Sequence, residues 1–333
     1  MTPNDIDPEV STPIYEGPPP PLGGQPLPPE RLRQDTQPMS ADFRVPALQP
    51  DFTGDLWVGS WQGLARINPN TGRLLARISL PNYTIGALAQ DRVGRIWVGT
   101  YEGVVRVDPR SNEVTAQNFS LPSNRVLSLL IDRRGYLWVG SDRGLSLISP
   151  DQGLLMTTLQ QLPGVSANAL ALDREGQLWV GTLEGIVRVD TASALVIGRI
   201  GDLPGTTVQT IALAPDGMLW VGTPSSLLVI DPDTREVKRS VTPLRGRNVT
   251  SVRFARDGSV WVGTEEGLIN LKADSGAVLG QVPNLPSERI LALSPDTGNK
   301  LWVGTSEGLA WVSLTTGRVR PHYAFVRDAP TTF

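Results

Sequence analysis

The chain has 333 residues, a net charge of −3 and a pI of about 5.4, which gives no global field for holding nucleic acid or an anionic membrane. It contains no cysteine and a single histidine, His322, so disulfides, thiol catalysis and thiolate metal sites are excluded. Histidine chemistry would rest on one residue. No apolar run approaches the ~18–20 residues that span a bilayer, and the opening "MTPNDIDPEV" has neither the basic start nor the apolar stretch of a signal segment.

Residues 1–42 hold eleven prolines, including "GPPPPLGG" at 17–24 and "LPPERL" at 27–32. Proline fixes φ and donates no backbone hydrogen bond, so an extended linker or arm is expected, with "PIY" at 13–15 as a small apolar anchor. From residue 43 a period appears. The phrase "LWVGS" or "LWVGT", with Ile or Val replacing Leu in two copies, places tryptophan at 57, 97, 138, 179, 220, 261 and 302. The separations are 40 once and 41 five times, the mark of a repeat architecture with one supersecondary unit per period.

Residues 125–161 show one unit. "RVLSLLID", "YLWVGS", "GLSLIS" and "LLMTTLQQ" read as four strands joined by "RRG", "DRG" and "PDQG" turns, with no helical period left over. In "LWVG" the Trp faces one side of the strand, Leu and Val the other, and all are apolar, so both faces of the sheet must be buried. Four-stranded sheets stacked face to face around an axis satisfy that demand. The expected fold is an all-β, seven-bladed β-propeller of antiparallel blades over residues 43–322, with the arm before it and a tail at 323–333. The repeated Gly (59, 99, 140, 181, 222, 263 and 304) is expected to let a neighbouring blade approach, and each repeat Trp N–H to find a carbonyl. The first and last strands, in "FRVPALQPD" and "RVRPHYAF", are each read as belonging to their own blade.

The pattern "LWVGTxxGL", preceded by "DxxG" and followed by a strand ending in Asp-Pro, resembles the two-component-regulator propeller repeat. Clear copies are "GRIWVGTYEGVVRVDP" at 94–109 and "GQLWVGTLEGIVRVD" at 176–190. The resemblance implies an extracytoplasmic sensor region, hence a periplasmic or extracellular setting and a small ligand or glycan in the central funnel. Such proteins add paired rings, an immunoglobulin-like module, a membrane helix and a kinase to one ring, so the kinase role is not expected here. The chain also resembles virginiamycin B lyase-like propellers, whose chemistry implies a metal and a catalytic histidine. The sole histidine stands in "RPHYAF", away from the expected site loops, so lyase activity is not expected.

Blade strands are committed to packing, so function should lie in the loops that vary. The second-to-third turns and the interblade links are expected on one face. They carry the partner-binding candidates Trp61, Tyr83, Tyr101, Glu102, Arg125, Asp142, Arg143, Glu184, Arg247, Glu266, Arg289 and Glu307. Trp61, Tyr83 and Tyr101 with arginine suit a protein interface. Glu102, Glu184, Glu266 and Glu307 could ring a cation or simply serve the turn. The opposite face, with "DRVG", "DRRG" and "DREG", reads as solvated turns whose acids offset their arginines. No catalytic residue, cofactor or metal is assigned. The expected function is a non-catalytic protein-interaction module, a scaffold or accessory subunit, with ligand sensing as the alternative.

Overall fold

In a computed structural model, described for residues 42–80, 84–118 and 121–326, seven four-stranded antiparallel sheets follow one another along the chain. The arm at 1–41, Tyr83 and the end of the tail lie outside the described residues. Blades 1 to 7 run over 47–78, 85–118, 126–159, 169–200, 210–240, 249–282 and 290–326. Blade 3 has its strands at Val126–Ile131, Leu137–Ser141, Gly144–Ser149 and Leu154–Leu159, where the turn residues and apolar runs placed them. The last strand, Val319–Val326, continues past residue 322 and buries Phe325.

Each core cluster spans two blades. Trp57 and Leu64 of blade 1 pack on Ile96, Val98 and Val105 of blade 2, and Trp138 of blade 3 packs on Leu178 and Val180 of blade 4. The Trp face of one sheet therefore meets the Leu/Val face of the next, and removing one such Trp side chain would cost ~3–5 kcal/mol. The repeated glycine makes this approach possible: a Cβ at Gly59 would lie 2.6 Å from Ile85 Cγ2 of the next blade.

The repeat Trp N–H finds a different partner from the one expected. In blades 1 to 4 it donates to a carboxylate, that of Asp51, Asp91, Asp132 or Asp173, at 2.9–3.1 Å. Among the described residues, the one repeat Trp that donates to a carbonyl is Trp302, to that of Thr297 at 3.1 Å. These aspartates open the "DxxG" turns. They are buried rather than solvated, because the same carboxylate accepts the turn's own N–H groups; Asp173 Oδ1 accepts from Gln177 N at 2.7 Å. In blades 1 and 4 a third-strand arginine completes the group, whereas in blade 3 Leu147 stands at that register and Asp132 pairs with Arg134 of its own turn. Arg188 Nη2 lies 3.0 Å from Asp173 Oδ2, with its guanidinium 5.4 Å from the Trp179 ring centroid. Arg66 and Arg106 stack on their own blade's Trp and also donate to the next blade's turn carbonyls, Pro109 at 3.2 Å and Pro150 at 2.9 Å.

The ring closes without an exchanged strand, since the first and last sheets each consist of consecutive strands. Val45 N donates to Thr305 O at 3.0 Å, and Lys300 Nζ donates to the carbonyls of Pro69 and Asn70 at 2.7 and 2.8 Å. His322, buried beside Trp302 and Phe325, lies with Nε2 2.7 Å from Gly72 O, while its Nδ1 accepts from Ala324 N at 3.3 Å. A carbonyl only accepts and an amide only donates, so the ring is neutral with its proton on Nε2. Burial holds its pKa below the ordinary value, with hydrogen bonds opposing and the Arg77 charge adding to the shift.

Candidate functional site

The Ser or Thr that ends each "LWVG" strand builds the turn on the link face. Thr182 Oγ1 donates to Gly185 O at 2.9 Å and accepts from Glu184 N at 3.1 Å, and the same pair of bonds recurs at Thr100, Thr264 and Thr305. The hydroxyl is buried and tied; the next two side chains are directed outward. Gly185 takes φ +100° at the turn's end, where a Cβ would also meet the Ile200 carbonyl. Interblade links lie against these turns, with Tyr101 N donating to Thr84 O at 3.1 Å and Ser306 N to Arg289 O at 3.1 Å. The variable turn residues and the links therefore share one face.

On that face the structure joins some candidates and separates others. Arg125 stacks over Tyr101 with its guanidinium 4.9 Å from the ring centroid; Tyr101 is 38 % exposed and leans over Gly86 of the channel wall. Arg289 lies 3.3 Å from Glu265, and Arg247 lies 3.8 Å from Glu266. Trp61 is half-buried against Phe43, ring centroids 4.9 Å apart, in the chain entering blade 1. Asp142 and Arg143 are exposed on blade 3. Glu102, Glu184, Glu266 and Glu307 are exposed, and among the described residues no group of three or more acids or histidines is placed to hold a metal ion. Each of the four glutamates gives its backbone N–H to the turn hydroxyl, which accounts for the position in the repeat but not for the choice of side chain.

The sequence reading missed two features. On the opposite face, Phe52 and Val93 are 72 % and 64 % exposed at the turn tips of blades 1 and 2. They border a cleft with Arg66, Arg92, Arg95 and Arg110. The signal was present: in blades 3 and 4 the turn position equivalent to Phe52 holds Arg133 and Arg174. The second feature is the lining of the central channel, a funnel the sequence reading named without assigning residues: the first strand of every blade lines it, around a cavity of about 200 Å³. Ser128 Oγ, Asn168 Nδ2 and Thr250 Oγ1 on its wall donate to carbonyls of the following blade, Ala167, Val208 and Ile290, at 2.9, 3.1 and 2.7 Å. Arg253 also lines it.

The geometry has counterparts among known proteins. The family model of the two component regulator propeller matches four segments, 79–102, 120–143, 161–184 and 202–225, so these four stretches are similar to repeats of that family. Each segment runs from a link through the next Trp strand into its turn. No curated protein matches in sequence. The fold is similar to the extracellular domain of the putative hybrid two component system BT3049 from B. thetaiotaomicron, at 19 % identity and TM-score 0.69, over 81 % of this chain and 40 % of that one. This chain thus spans less than half the length of that relative. It is also similar to a chain of the mitotic checkpoint complex, at 18 % identity and TM-score 0.69, over 80 % of this chain and 85 % of that one. Virginiamycin B lyase from Staphylococcus aureus is similar at 14 % identity and TM-score 0.60, over 71 % and 83 % of the two chains.

Proposed function

We propose that this chain is a non-catalytic propeller that docks a protein partner on its link face, around Tyr101 and Arg125, and that it works outside the cytoplasm. The observation that supports the reading is the Tyr101–Arg125 stack. An aromatic ring and a guanidinium held against each other, exposed at the channel mouth, have the composition of an interface hot spot. The flanking Arg247–Glu266 and Arg289–Glu265 pairs supply a polar rim. His322, the only histidine, is committed to packing, which supports the non-catalytic reading. The repeat family and the likeness to an extracellular domain support the compartment.

The test compares affinity co-purification by the intact chain with that by Tyr101→Ala, Arg125→Glu and the control Arg199→Ala on the outer strand of blade 4. A partner retained by the wild type and control but lost from both face variants is the expected result. Retention by all four proteins refutes docking at this place.

A further inference from the structure

The first strands align by register, and the residue paired with the repeat Trp is Gln49, Ala89, Leu130, Ala171, Ala212, Arg253 and Ser294 in blades 1 to 7. Three positions hold Ala and one Ser. Arg253 is the one charged residue among those lining the channel. It is exposed to the channel, and the channel walls lower its pKa by desolvation. Its side chain makes one hydrogen bond, from Nη1 to Val252 O at 2.9 Å, and among the described residues no acid forms an ion pair with it. A guanidinium carries five N–H donors in a planar fork, so most of its donors remain available.

The wall around it is polar on one side. Ser128, Asn168 and Thr250 are occupied by their blade-to-blade bonds, whereas the side chains of Gln209, Thr210 and Ser251 make no hydrogen bond among the described residues. Gln209 Oε1 is moreover a buried polar atom without a partner. The amide nitrogen of the same side chain carries two N–H donors that no described residue accepts. An arginine fork matches carboxylate and phosphate oxygens in pairs. The channel therefore combines an unpaired positive charge, free hydroxyls and an amide in a space sized for a small molecule.

We propose that the central channel binds a small oxyanion, a carboxylate or a phosphate, gripped by Arg253 with Gln209, Thr210 and Ser251 as hydrogen-bonding neighbours. This site is separate from the Tyr101–Arg125 face, and neither reading requires the other.

The experiment titrates inorganic phosphate and, separately, succinate into the intact protein by calorimetry, at neutral pH and constant ionic strength. Wild type, Arg253→Ala and Arg253→Lys are compared, with thermal midpoints read in parallel. The Ala variant installs the residue that blades 2, 4 and 5 already hold at this register, so its folding is secured by precedent within the chain. Saturable one-site binding of one probe is expected, with a rise in thermal midpoint. It should be about thirtyfold weaker or lost in Arg253→Ala, since that removes the charged partner. Arg253→Lys should fall between, keeping the charge without the fork. Which probe binds assigns carboxylate or phosphate. No saturable binding of either probe to the wild type, or equal binding by wild type and Arg253→Ala, overturns the proposal.

Discussion

Blades 4 and 6 place the same tryptophan in different chemical company. In blade 4, Trp179 donates to Asp173, which also holds its turn and faces Arg188. In blade 6, Ala255 stands where that aspartate would be and Asn270 where the arginine would be. Trp261 Nε1 and Asn270 Oδ1 are both left without partners. Even so, Trp179 pairs with Arg188 and Trp261 with Asn270 in the same register, and both turns close with a similar bond, Asp173 N to Gln177 O at 3.0 Å and Ala255 N to Ser259 O at 2.9 Å. Apolar layers and the glycine approach are therefore sufficient to form a blade. The buried Asp–Trp–Arg group adds stability to blades already shaped by packing.

That comparison can be broken most directly at Asp173. Its replacement by Ala leaves Arg188 facing no acid and Trp179 without an acceptor, so a loss of about 3 kcal/mol in denaturant unfolding is expected. A loss as small as that of an ordinary surface substitution would show that the group is dispensable in blade 4 too. Next in size is the contrast between Trp179→Phe and Trp261→Phe. Both shrink the core, but only the first strips a donor from a buried carboxylate, so it should cost about 1 kcal/mol more. Completing the group in blade 6 with Ala255→Asp and Asn270→Arg together should raise stability by about 1 kcal/mol, because an orphaned N–H gains an acceptor and the new charge gains a partner. Ala255→Asp alone should gain less.

The smallest effect concerns the junction of blades 7 and 1, joined by Lys300 and His322 rather than by a stacked third-strand arginine. His322 is neutral when folded and its pKa is lowered, so the unfolded chain takes up its proton first as pH falls. The contribution of its neutral state is complete above the unfolded value of ~6.5 and declines as pH drops below it. Thermal midpoints between pH 7.5 and 5 should fall, and His322→Gln should flatten that slope. An unchanged slope would remove His322 as its cause.

Several of these features had a legible sequence signal. The six-residue step from Asp to Trp in Asp51–Trp57, Asp91–Trp97, Asp132–Trp138 and Asp173–Trp179 is lost at Ala214 and Ala255, and it accompanies the buried carboxylates of blades 1 to 4; the same step at Asp296–Trp302 does not, because Asp296 accepts from Arg256 N and Trp302 donates to Thr297 O. It read as solvated turn chemistry because Asp in a "DxxG" turn bonds its own backbone whether or not a tryptophan lies behind it. Arg253 was equally visible as the charged residue at a position of Ala and Ser, once the strands are aligned by register. Trp61 looked like an exposed anchor. Its packing on Phe43 arises where the chain enters blade 1, a contact the repeat does not encode.

The sequence alone determined the number of blades, the position of every Trp strand and the burial of both sheet faces. Those follow from a 41-residue period and strand alternation, which are local properties of the chain. Only the tertiary structure decided which carboxylates turn inward, how blade 7 meets blade 1 and that Arg253 projects into the channel. The first depends on separate strands of one blade brought side by side, the other two on residues from different blades, and a repeat pattern read along one dimension carries no information about who stands across the axis.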